Sequence, residues 1–189
     1  MFSARQSVRS IDELLPQFGE ISEKGSALVS KLTADQIVRR PQPNSWSVAE
    51  CLTHLIISAD GFFDVWRREI AGARDKGQTG APPFHQDFWG WLLTWSLEPP
   101  SRFKMKAPKI IQPVAVGPAD SILPDFLDRQ RRISEAMESA RGLAIDKIKI
   151  ASPVDPRVHY SIWSSFCLNA AHERRHVWQA ARAAQSLGL

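Results

Sequence analysis

The feature that most constrains the fold is a spacing of three or four residues between apolar side chains, which recurs in four long segments. This spacing places apolar groups along one face of an α-helix, and that face must be buried against another element. The predicted helices cover residues 7–32, about 48–73, 120–141 and about 161–186. Four such helices in one chain predict an all-α fold, a four-helix bundle.

The start of the second helix is marked by a loop followed by a capping motif. Residues 40–45 contain two prolines, which disfavour helix in the residues before them. The segment from Ser47 to Glu50 then forms a capping box, in which the Ser47 hydroxyl and the Glu50 carboxylate bind backbone N–H groups of the first turn. We therefore expect the second helix to begin at about Val48.

The second and third helices are separated by a long excursion, residues 74–117, that is rich in aromatic residues and proline. It shows no sustained helical periodicity apart from a short helix predicted at residues 88–97. Before the last helix, Pro153 and Pro156 interrupt the chain. The segment Lys147-Ile-Lys-Ile150 can form a strand, although one short strand does not make a sheet.

The composition is that of one globular domain. The chain has 189 residues, 43% hydrophobic and 23% charged, so we expect a single domain over residues 1–189 with a core that needs no disulfides. Its two cysteines, Cys51 and Cys167, are expected to be buried thiols. No apolar stretch reaches the roughly 18–20 residues of a membrane helix, and the first residues lack a signal-peptide pattern. We therefore expect a cytoplasmic protein with no membrane partner.

The charge of the chain is moderately basic, at +4. A basic balance can attract nucleic acid through its phosphates. Here, however, the lysines and arginines occur in short groups, with no run of five or more like charges. This distribution is typical of solvated helix faces, and no nucleic-acid partner is expected.

The segment His172-Glu-Arg-Arg-His176 in the last helix is the most informative chemical motif. Residues four apart lie on one helix face, so the two imidazoles can converge on one divalent metal such as Zn, Ni, Fe or Cu. The alternative is a pair of partly exposed histidines without a metal. The motif also matches the zinc protease pattern, in which Glu173 is the general base. No His, Asp, Glu or Cys follows His176 as a third ligand, so the protease interpretation is rejected.

A third metal ligand must therefore come from earlier in the chain. His54 lies on the second helix, a rigid element that can pack beside the last helix, whereas His85 and His159 fall in predicted loops. Cys51, three residues before His54, is an outside candidate. The alternative for His54 is a hydrogen-bonded core histidine.

These residues together resemble the DinB-like superfamily, which includes YfiT-type metal-dependent hydrolases and thiol-dependent S-transferases. The resemblance rests on Trp46-Ser47-Val48 followed by His54-Leu55, and on His172-Glu173 with His176 and Gln179. It implies an up-down-down-up four-helix bundle, usually a homodimer, with a divalent metal held by His54, His172 and His176. Where members often carry a further His and a Gly, this chain has Arg175 and Trp178.

Three protein ligands leave a metal position open for water or a thiolate. The expected function is therefore hydrolysis or thiol transfer on a small electrophilic substrate, with Zn, Ni or Fe as the metal and, for transfer, a low-molecular-weight thiol as partner. The alternative is a non-enzymatic bundle with a structural metal or a ligand-sensing pocket, favoured by a fourth donor such as Cys51 or Glu50.

Four side chains near the predicted ligands are candidates for orienting water or substrate: Asn169, Glu173, Arg175 and Gln179. Each has a plainer interpretation. Asn169 and Gln179 can be interhelical hydrogen-bond partners, Glu173 a surface or capping carboxylate, and Arg175 a solvated cation. We expect Trp89, Trp91 and Trp95 of the excursion to cover the site.

Overall fold

The computed structural model describes residues 8–100, 107–114 and 116–189, and it is mostly helical. The α-helices of this part of the chain are α1 Ile11–Val29, α2 Ala34–Val38, α3 Val48–Asp75, α4 Phe88–Leu97, α5 Ala119–Ser139 and α6 Ile162–Ser186. A single 3₁₀ turn covers Lys109–Ile111, and two short strands are β1 Lys149–Ala151 and β2 His159–Ser161. None of the described helices is long and apolar enough to cross a membrane.

Helix α1 is shorter than the periodicity predicts, because its ends are set by caps. Ser10 begins the helix by accepting the Glu13 N–H at its Oγ atom, 3.2 Å away. The predicted continuation to residue 32 is replaced by a turn. The separate helix α2 follows that turn and begins at the capping box of Thr33 and Gln36. The predicted start at Ser7 lies outside the described residues.

The capping box at the start of α3 is confirmed. The Glu50 N–H donates to the Ser47 Oγ at 3.1 Å, and the Ser47 N–H donates to the Glu50 Oε2 at 2.9 Å. Arg40 from the proline-rich loop forms an ion pair with the same carboxylate. Burial raises the pKa of Glu50, but the bonds from Arg40 and Ser47 outweigh it and leave that pKa below its ordinary value. These contacts fix the residue at which α3 begins and therefore the face of α3 on which His54 lies.

The four long helices enclose one apolar core. Helix α3 packs against α5 and α6, and α1 packs against the same two helices from the other side. A hydrogen bond of 2.7 Å from the Trp66 indole N–H to the Ser165 hydroxyl ties α3 to α6 inside this core. The buried guanidinium of Arg174 connects α6 to Gln17 of α1 and to Glu98 at the end of α4.

The short helix α4 has the bounds that the sequence predicts, and it lies directly on α6. The close approach depends on Gly90, because a Cβ atom there would lie 2.2 Å from the Cβ of Ser164. Asp87 caps α4, and its Oδ2 also accepts the Ser161 N–H at 2.5 Å and the Lys149 amine at 2.8 Å. The remainder of the 74–117 excursion includes residues 101–106 and 115, which lie outside the described part of the chain.

The expectation of an all-α fold needs one correction, since β1 and β2 form a two-stranded antiparallel ribbon. Ile150 pairs with Tyr160, and both side chains are buried. Pro153 and Pro156 do interrupt helix, but they lie in the connection that lets the chain reverse and pair with itself. The ribbon leads directly into α6 and so helps to set the position of that helix.

Candidate metal centre

The structure brings together the three histidines that the sequence singled out. His54 extends from α3, and His172 and His176 extend from consecutive turns of α6. One ligand atom from each ring lies within 4.8 Å of the others. The Nε2 atoms of His54 and His172 are 3.0 Å apart, and the centroids of the three rings are 4.3 to 4.9 Å apart.

This arrangement fits a divalent metal. Imidazole nitrogens bind such ions at about 2.0–2.1 Å, so two nitrogens on one ion lie about 2.8–3.4 Å apart for angles between a right angle and the tetrahedral angle. The distance from His54 Nε2 to His172 Nε2 falls in this range. In addition, the Nδ1 atom of His176 is buried without a hydrogen-bond partner among the described residues. Buried ring nitrogens normally have a partner, and metal coordination of that ring is one way to supply it.

The orientation of the His54 ring is set by the backbone. Its Nδ1–H donates to the carbonyl oxygen of Ile111, at the end of the 3₁₀ turn, over 2.6 Å. The proton is therefore held at Nδ1, and the Nε2 lone pair faces His172. A hydrogen bond of this kind to the distal ring nitrogen is the usual support of a metal-binding histidine.

Burial keeps all three imidazoles neutral, which is the form that binds a metal. Burial lowers the pKa of His54, against the opposing effect of the Ile111 carbonyl. The pKa of His172 falls to about 3 through burial and the nearby His54 and Arg175. Burial also holds the pKa of His176 well below its ordinary value, with contributions from the other two rings and from Arg175.

Trp46 forms one side of the cluster. Its ring centroid lies 4.9 Å from that of His54 and 5.7 Å from that of His176, so it restrains a ring from each helix. The sequence identifies Trp46 as part of the family pattern, but nothing in the sequence shows this contact. The role of the Ile111 carbonyl has no sequence signal at all, because any residue supplies the same backbone group.

The three histidines lie in the wall of a cleft of about 1060 Å³, which is large enough for a small-molecule substrate. Helix α4 contributes Leu93 and Leu97 to its walls. The expectation that Trp89, Trp91 and Trp95 cover the site is wrong: they do not line the cleft, and they are 56%, 51% and 40% exposed. The side chains of α4 that reach the cleft are Leu93 and Leu97, and these three tryptophans are exposed.

Three of the four candidate orienting residues line this cleft. Asn169 is buried and donates from Nδ2 to the Ser165 carbonyl at 2.9 Å. Gln179 lines the cleft beside His176, with which its side chain interacts. Arg175 is only 8% exposed, so it is not a solvated surface cation, and burial lowers its pKa.

Glu173 occupies neither place that the sequence suggests, which are a position facing the ligand site and a position at the surface or at a helix cap. It does not line the cleft, and at 1% exposure it is not a surface or capping carboxylate. Its Oε2 accepts the Gln130 Nε2–H at 2.9 Å, between α6 and α5, and burial raises its pKa to about 8. The sequence could not show this, because the partner lies on another helix.

Other donor residues do not join the group. Within the described ranges, no cysteine or carboxylate lies with the three histidines as a further ligand. Cys51 is buried in the core, where burial raises the pKa of its thiol, and Glu50 is held by its capping box and Arg40. His85 and His159 are exposed and do not line the cleft, and His159 lies in β2 rather than in the predicted loop.

Comparison with known proteins agrees with the arrangement of the site. A family model described as the DinB superfamily matches residues 18–180, a range that contains all three histidines and every long helix except the first turns of α1 and the end of α6. Searches of curated proteins and of solved structures give no match. The match covers most of the chain, and the chain belongs to the DinB superfamily.

Proposed function

We propose that this protein is a metal-dependent enzyme that uses His54, His172 and His176 to hold one divalent ion and acts on a small electrophilic substrate. The reaction is hydrolysis or transfer of a low-molecular-weight thiol. The observation that carries the proposal is the convergence of three neutral imidazoles in the wall of a cleft, without a fourth protein ligand among the described residues. A site of this kind is typical of catalytic rather than structural metals.

A divalent ion with an open position lowers the pKa of a bound water or thiol toward neutrality and so supplies a nucleophile. The chain's own residues provide the setting. The Ile111 carbonyl holds the His54 proton at Nδ1, and Trp46 restrains the rings of His54 and His176. Leu93 and Leu97 add apolar walls that limit the access of water.

Asn169 and Gln179 are the side chains best placed to orient a substrate. Both line the cleft on the α6 face that carries the ligands, one turn on either side of them. Because the Nδ2 of Asn169 already donates to the Ser165 carbonyl, its carbonyl oxygen is the group to offer to a ligand. Gln179 interacts with His176 and can donate to a substrate oxygen through its amide.

The alternative, a structural metal in a non-enzymatic protein, has less support. A structural zinc site is normally closed by four protein ligands. The two residues considered for the fourth place, Cys51 and Glu50, lie outside the donor group and are engaged elsewhere.

We also propose the assembly that the family resemblance implies. The packing of α3 and α1 against α5 and α6 supports an up-down-down-up four-helix bundle formed by a single domain. A homodimer of this bundle in the cytoplasm is the proposed working form. Light scattering on the purified protein measures the mass of the assembly directly.

Metal content tests the main proposal. Protein purified without an immobilised-metal column is expected to carry or take up about one divalent ion per chain, and a His176→Ala variant is expected to lose it. A variant that retains the parent's metal content contradicts the proposal. A thermal-shift screen of small thiols on the metal-loaded protein separates the two reactions, since stabilisation by a thiol favours transfer over hydrolysis.

A further inference from the structure

The cleft extends along α3 and α6 on both sides of the three histidines. The two helices run in opposite directions, because His54 meets His172 while Trp66, further along α3, donates to Ser165. Moving from His54 along α3 therefore leads toward the start of α6, where the ribbon joins that helix. We call this part of the cleft the ribbon half. The part toward the end of α6 is the loop half, because the loop of residues 41–46 lies there.

The walls of the ribbon half come from four elements and include an apolar set. Phe62 lies about two turns beyond His54 on α3, and Leu168 lies about one turn before the ligands on α6. The connection between β1 and β2 reaches the same end of the cleft, since a Cβ atom at Gly61 would lie 3.5 Å from the Cβ of Pro153. The apolar lining residues of this half are Phe62, Leu93, Val154, Val158 and Leu168.

Leu93 belongs to the ribbon half because of the direction of α4. Gly90 lies against Ser164, and Glu98 pairs with Arg174, so α4 and α6 run side by side in the same direction. Leu93 follows Gly90 by about one turn and therefore lies beside the first half of α6. Apolar side chains thus enter this half from α3, α4, α6 and the ribbon connection.

Most polar groups of the ribbon half are paired within the chain. The Ser58 hydroxyl donates to the His54 carbonyl at 2.7 Å. The Ser152 hydroxyl accepts two backbone N–H groups of the ribbon connection. Both carboxylate oxygens of Asp155 accept hydrogen bonds from Arg157, at 2.9 and 2.8 Å. A ligand that enters this half therefore takes no solvent-exposed partner away from these groups.

Two further polar side chains line the ribbon half. The Tyr160 hydroxyl is buried beside Ser152, without exposed surface that a ligand in the cleft could contact. Asn169 donates from Nδ2 to the Ser165 carbonyl, and its own carbonyl oxygen lies next to the histidines rather than deep in this half. The surface that remains for a ligand beyond Asn169 is mainly apolar.

The loop half differs, because polar side chains supply much of its wall. Gln42, Asn44 and Ser45 line it from the loop, together with two tryptophans. Gln179 and Arg182 line it from α6. The two halves therefore suit different parts of a ligand, the ribbon half an apolar group and the loop half a polar one.

We propose that the substrate carries an apolar group, a short alkyl chain or a phenyl ring, that occupies the ribbon half while its reactive atom lies at the three histidines. Burial of such a group removes apolar surface from water on the ligand and on the protein. It breaks no hydrogen bond of the polar groups in this half, because their partners belong to the chain. The cleft of about 1060 Å³ has room for it. The position of the reactive atom rests on the proposed function, whereas the apolar preference follows from the ribbon half alone.

A series of thiols tests this preference on the cobalt-loaded protein, with binding followed by the thiolate-to-cobalt charge-transfer absorption. 1-Propanethiol and 2-mercaptoethanol are equal in size and differ by a methyl group in place of a hydroxyl. We expect 1-propanethiol to bind about threefold more tightly, and 1-butanethiol about threefold more tightly again, as burial of one methylene predicts. Equal affinities across the series, or the tightest binding by 2-mercaptoethanol, overturn the proposal.

Val158→Thr assigns the effect to the ribbon half, because it replaces a methyl group by a hydroxyl of similar size. Val158 is partly exposed, and its hydrogen bonds to Asp155 and Ser152 involve only the backbone. We expect the affinity for 1-butanethiol to fall about threefold and that for 2-mercaptoethanol to stay within about twofold. Val154→Thr is a second variant of the same kind, which serves if Val158→Thr disturbs the ribbon.

Val65→Thr is the matched control. Val65 is also partly exposed and packs against the core from α3, but it does not line the cleft. It is expected to leave the affinities for both thiols within about twofold, because no apolar contact with the ligand is lost. A fall in the affinity for 1-butanethiol as large as in Val158→Thr contradicts the assignment, and so does an unchanged affinity in both ribbon variants.

A second measurement does not depend on the metal. Saturation-transfer NMR of the metal-free protein is expected to show binding of 1-hexanol but not of 1,6-hexanediol, whose second hydroxyl would lie among apolar side chains. Val158→Thr is expected to weaken the binding of 1-hexanol. If cobalt does not bind but 1-hexanol does, the proposed function fails and the apolar site stands. If cobalt binds and neither the thiols nor the alcohols show an apolar preference, the apolar site is wrong and the proposed function stands.

The apolar group can belong to the thiol or to the electrophile, and competition distinguishes these sources. If 1-hexanol displaces 1-butanethiol from cobalt but binds together with 2-mercaptoethanol, the apolar position is separate from the thiol position, and an apolar electrophile can fill it. If 1-hexanol displaces both thiols, the two positions are shared, as expected for an apolar thiol. If 1-hexanol displaces neither thiol, the alkyl chain of 1-butanethiol does not occupy the ribbon half and the proposal is wrong.

Discussion

The Nδ1–H of His54 donates to the carbonyl oxygen of Ile111 over 2.6 Å, and this contact separates two functions of one imidazole. One ring nitrogen holds the 3₁₀ turn against α3, and the other faces His172. The two functions can be removed independently. Asn places an amide N–H near the position of Nδ1 but has no atom at Nε2, whereas Ala has neither.

Replacing His54 by Asn is therefore expected to abolish tight metal binding while leaving the metal-free fold nearly as stable as the parent. His54→Ala is expected to lose metal binding as well and to unfold at a lower denaturant concentration, because the Ile111 carbonyl then has no donor from α3. Metal titration and urea unfolding of both variants provide the check. Tight metal binding by His54→Asn contradicts the assignment of Nε2 as a ligand.

The carboxylate of Glu50 is expected to make stability depend on pH in the acid range. Its pKa is lowered in the folded protein, so its contribution is present above the unfolded pKa of about 4.3. The contribution is then lost as the pH falls through the lower, folded pKa. Glu50→Gln keeps an oxygen that can accept the Ser47 N–H but loses the charge paired with Arg40, so it is expected to destabilise at pH 7 by about 1 kcal/mol, with a smaller difference at pH 3.

Urea unfolding of the parent and Glu50→Gln at pH 7, 5, 4 and 3 measures this dependence. Asp75→Asn serves as a control for loss of an exposed carboxylate on the same helix. A difference between parent and Glu50→Gln that stays constant from pH 7 to pH 3 shows that the charge of Glu50 does not contribute.

Substitution of Gly90 by Ala is expected to push α4 away from α6. The added Cβ would lie 2.2 Å from the Cβ of Ser164, and neither backbone can move without breaking the contacts around Asp87. We expect a loss of about 1–3 kcal/mol in unfolding free energy, the range found for overpacking. Gly72→Ala on α3 is the matched control, because no atom lies within 4 Å of its added Cβ, and there a small gain is expected. Equal effects at the two positions count against a tight α4–α6 contact.

The two faces of α4 are expected to differ in their effect on ligand binding. Leu97 lines the cleft and Trp91 is exposed outside it. Leu97→Ala is expected to change the affinity of the cobalt-loaded protein for 2-mercaptoethanol several-fold, whereas Trp91→Gln leaves it within about twofold, since lost apolar contact is worth roughly 1–3 kcal/mol at a buried side chain. A larger change of affinity in Trp91→Gln than in Leu97→Ala would show that the tryptophans cover the site.

The sequence predicted the elements whose signals are local. The starts of α3 and α6, the whole of α4 and the ligand spacing on α6 follow from caps and periodicity within a few residues. The ribbon was missed because Pro153 and Pro156 break helix equally well in a loop and in a reversal between strands. Strand pairing depends on a second segment that no local pattern identifies.

The parts of the site that sequence could not predict all involve contacts between distant segments. His54 and Ile111 are separated by 57 positions, and a backbone carbonyl carries no residue signature. Gln130 and Glu173 are 43 positions apart, so a carboxylate predicted to be at the surface is instead a buried partner of α5. The aromatic composition of α4 predicts that its tryptophans cover the site, but Leu93 and Leu97 are the side chains of this helix that line the cleft.

X-ray absorption at the zinc edge of the zinc-loaded protein reports on the open metal site with three histidine ligands. We expect a first coordination shell of nitrogen and oxygen only, with three imidazoles, at about 2.0–2.1 Å. We also expect that 2-mercaptoethanol adds one sulfur at about 2.3 Å. A sulfur ligand before any thiol is added, a fourth protein ligand, or a first coordination shell that no thiol can enter would contradict an open site with three histidine ligands.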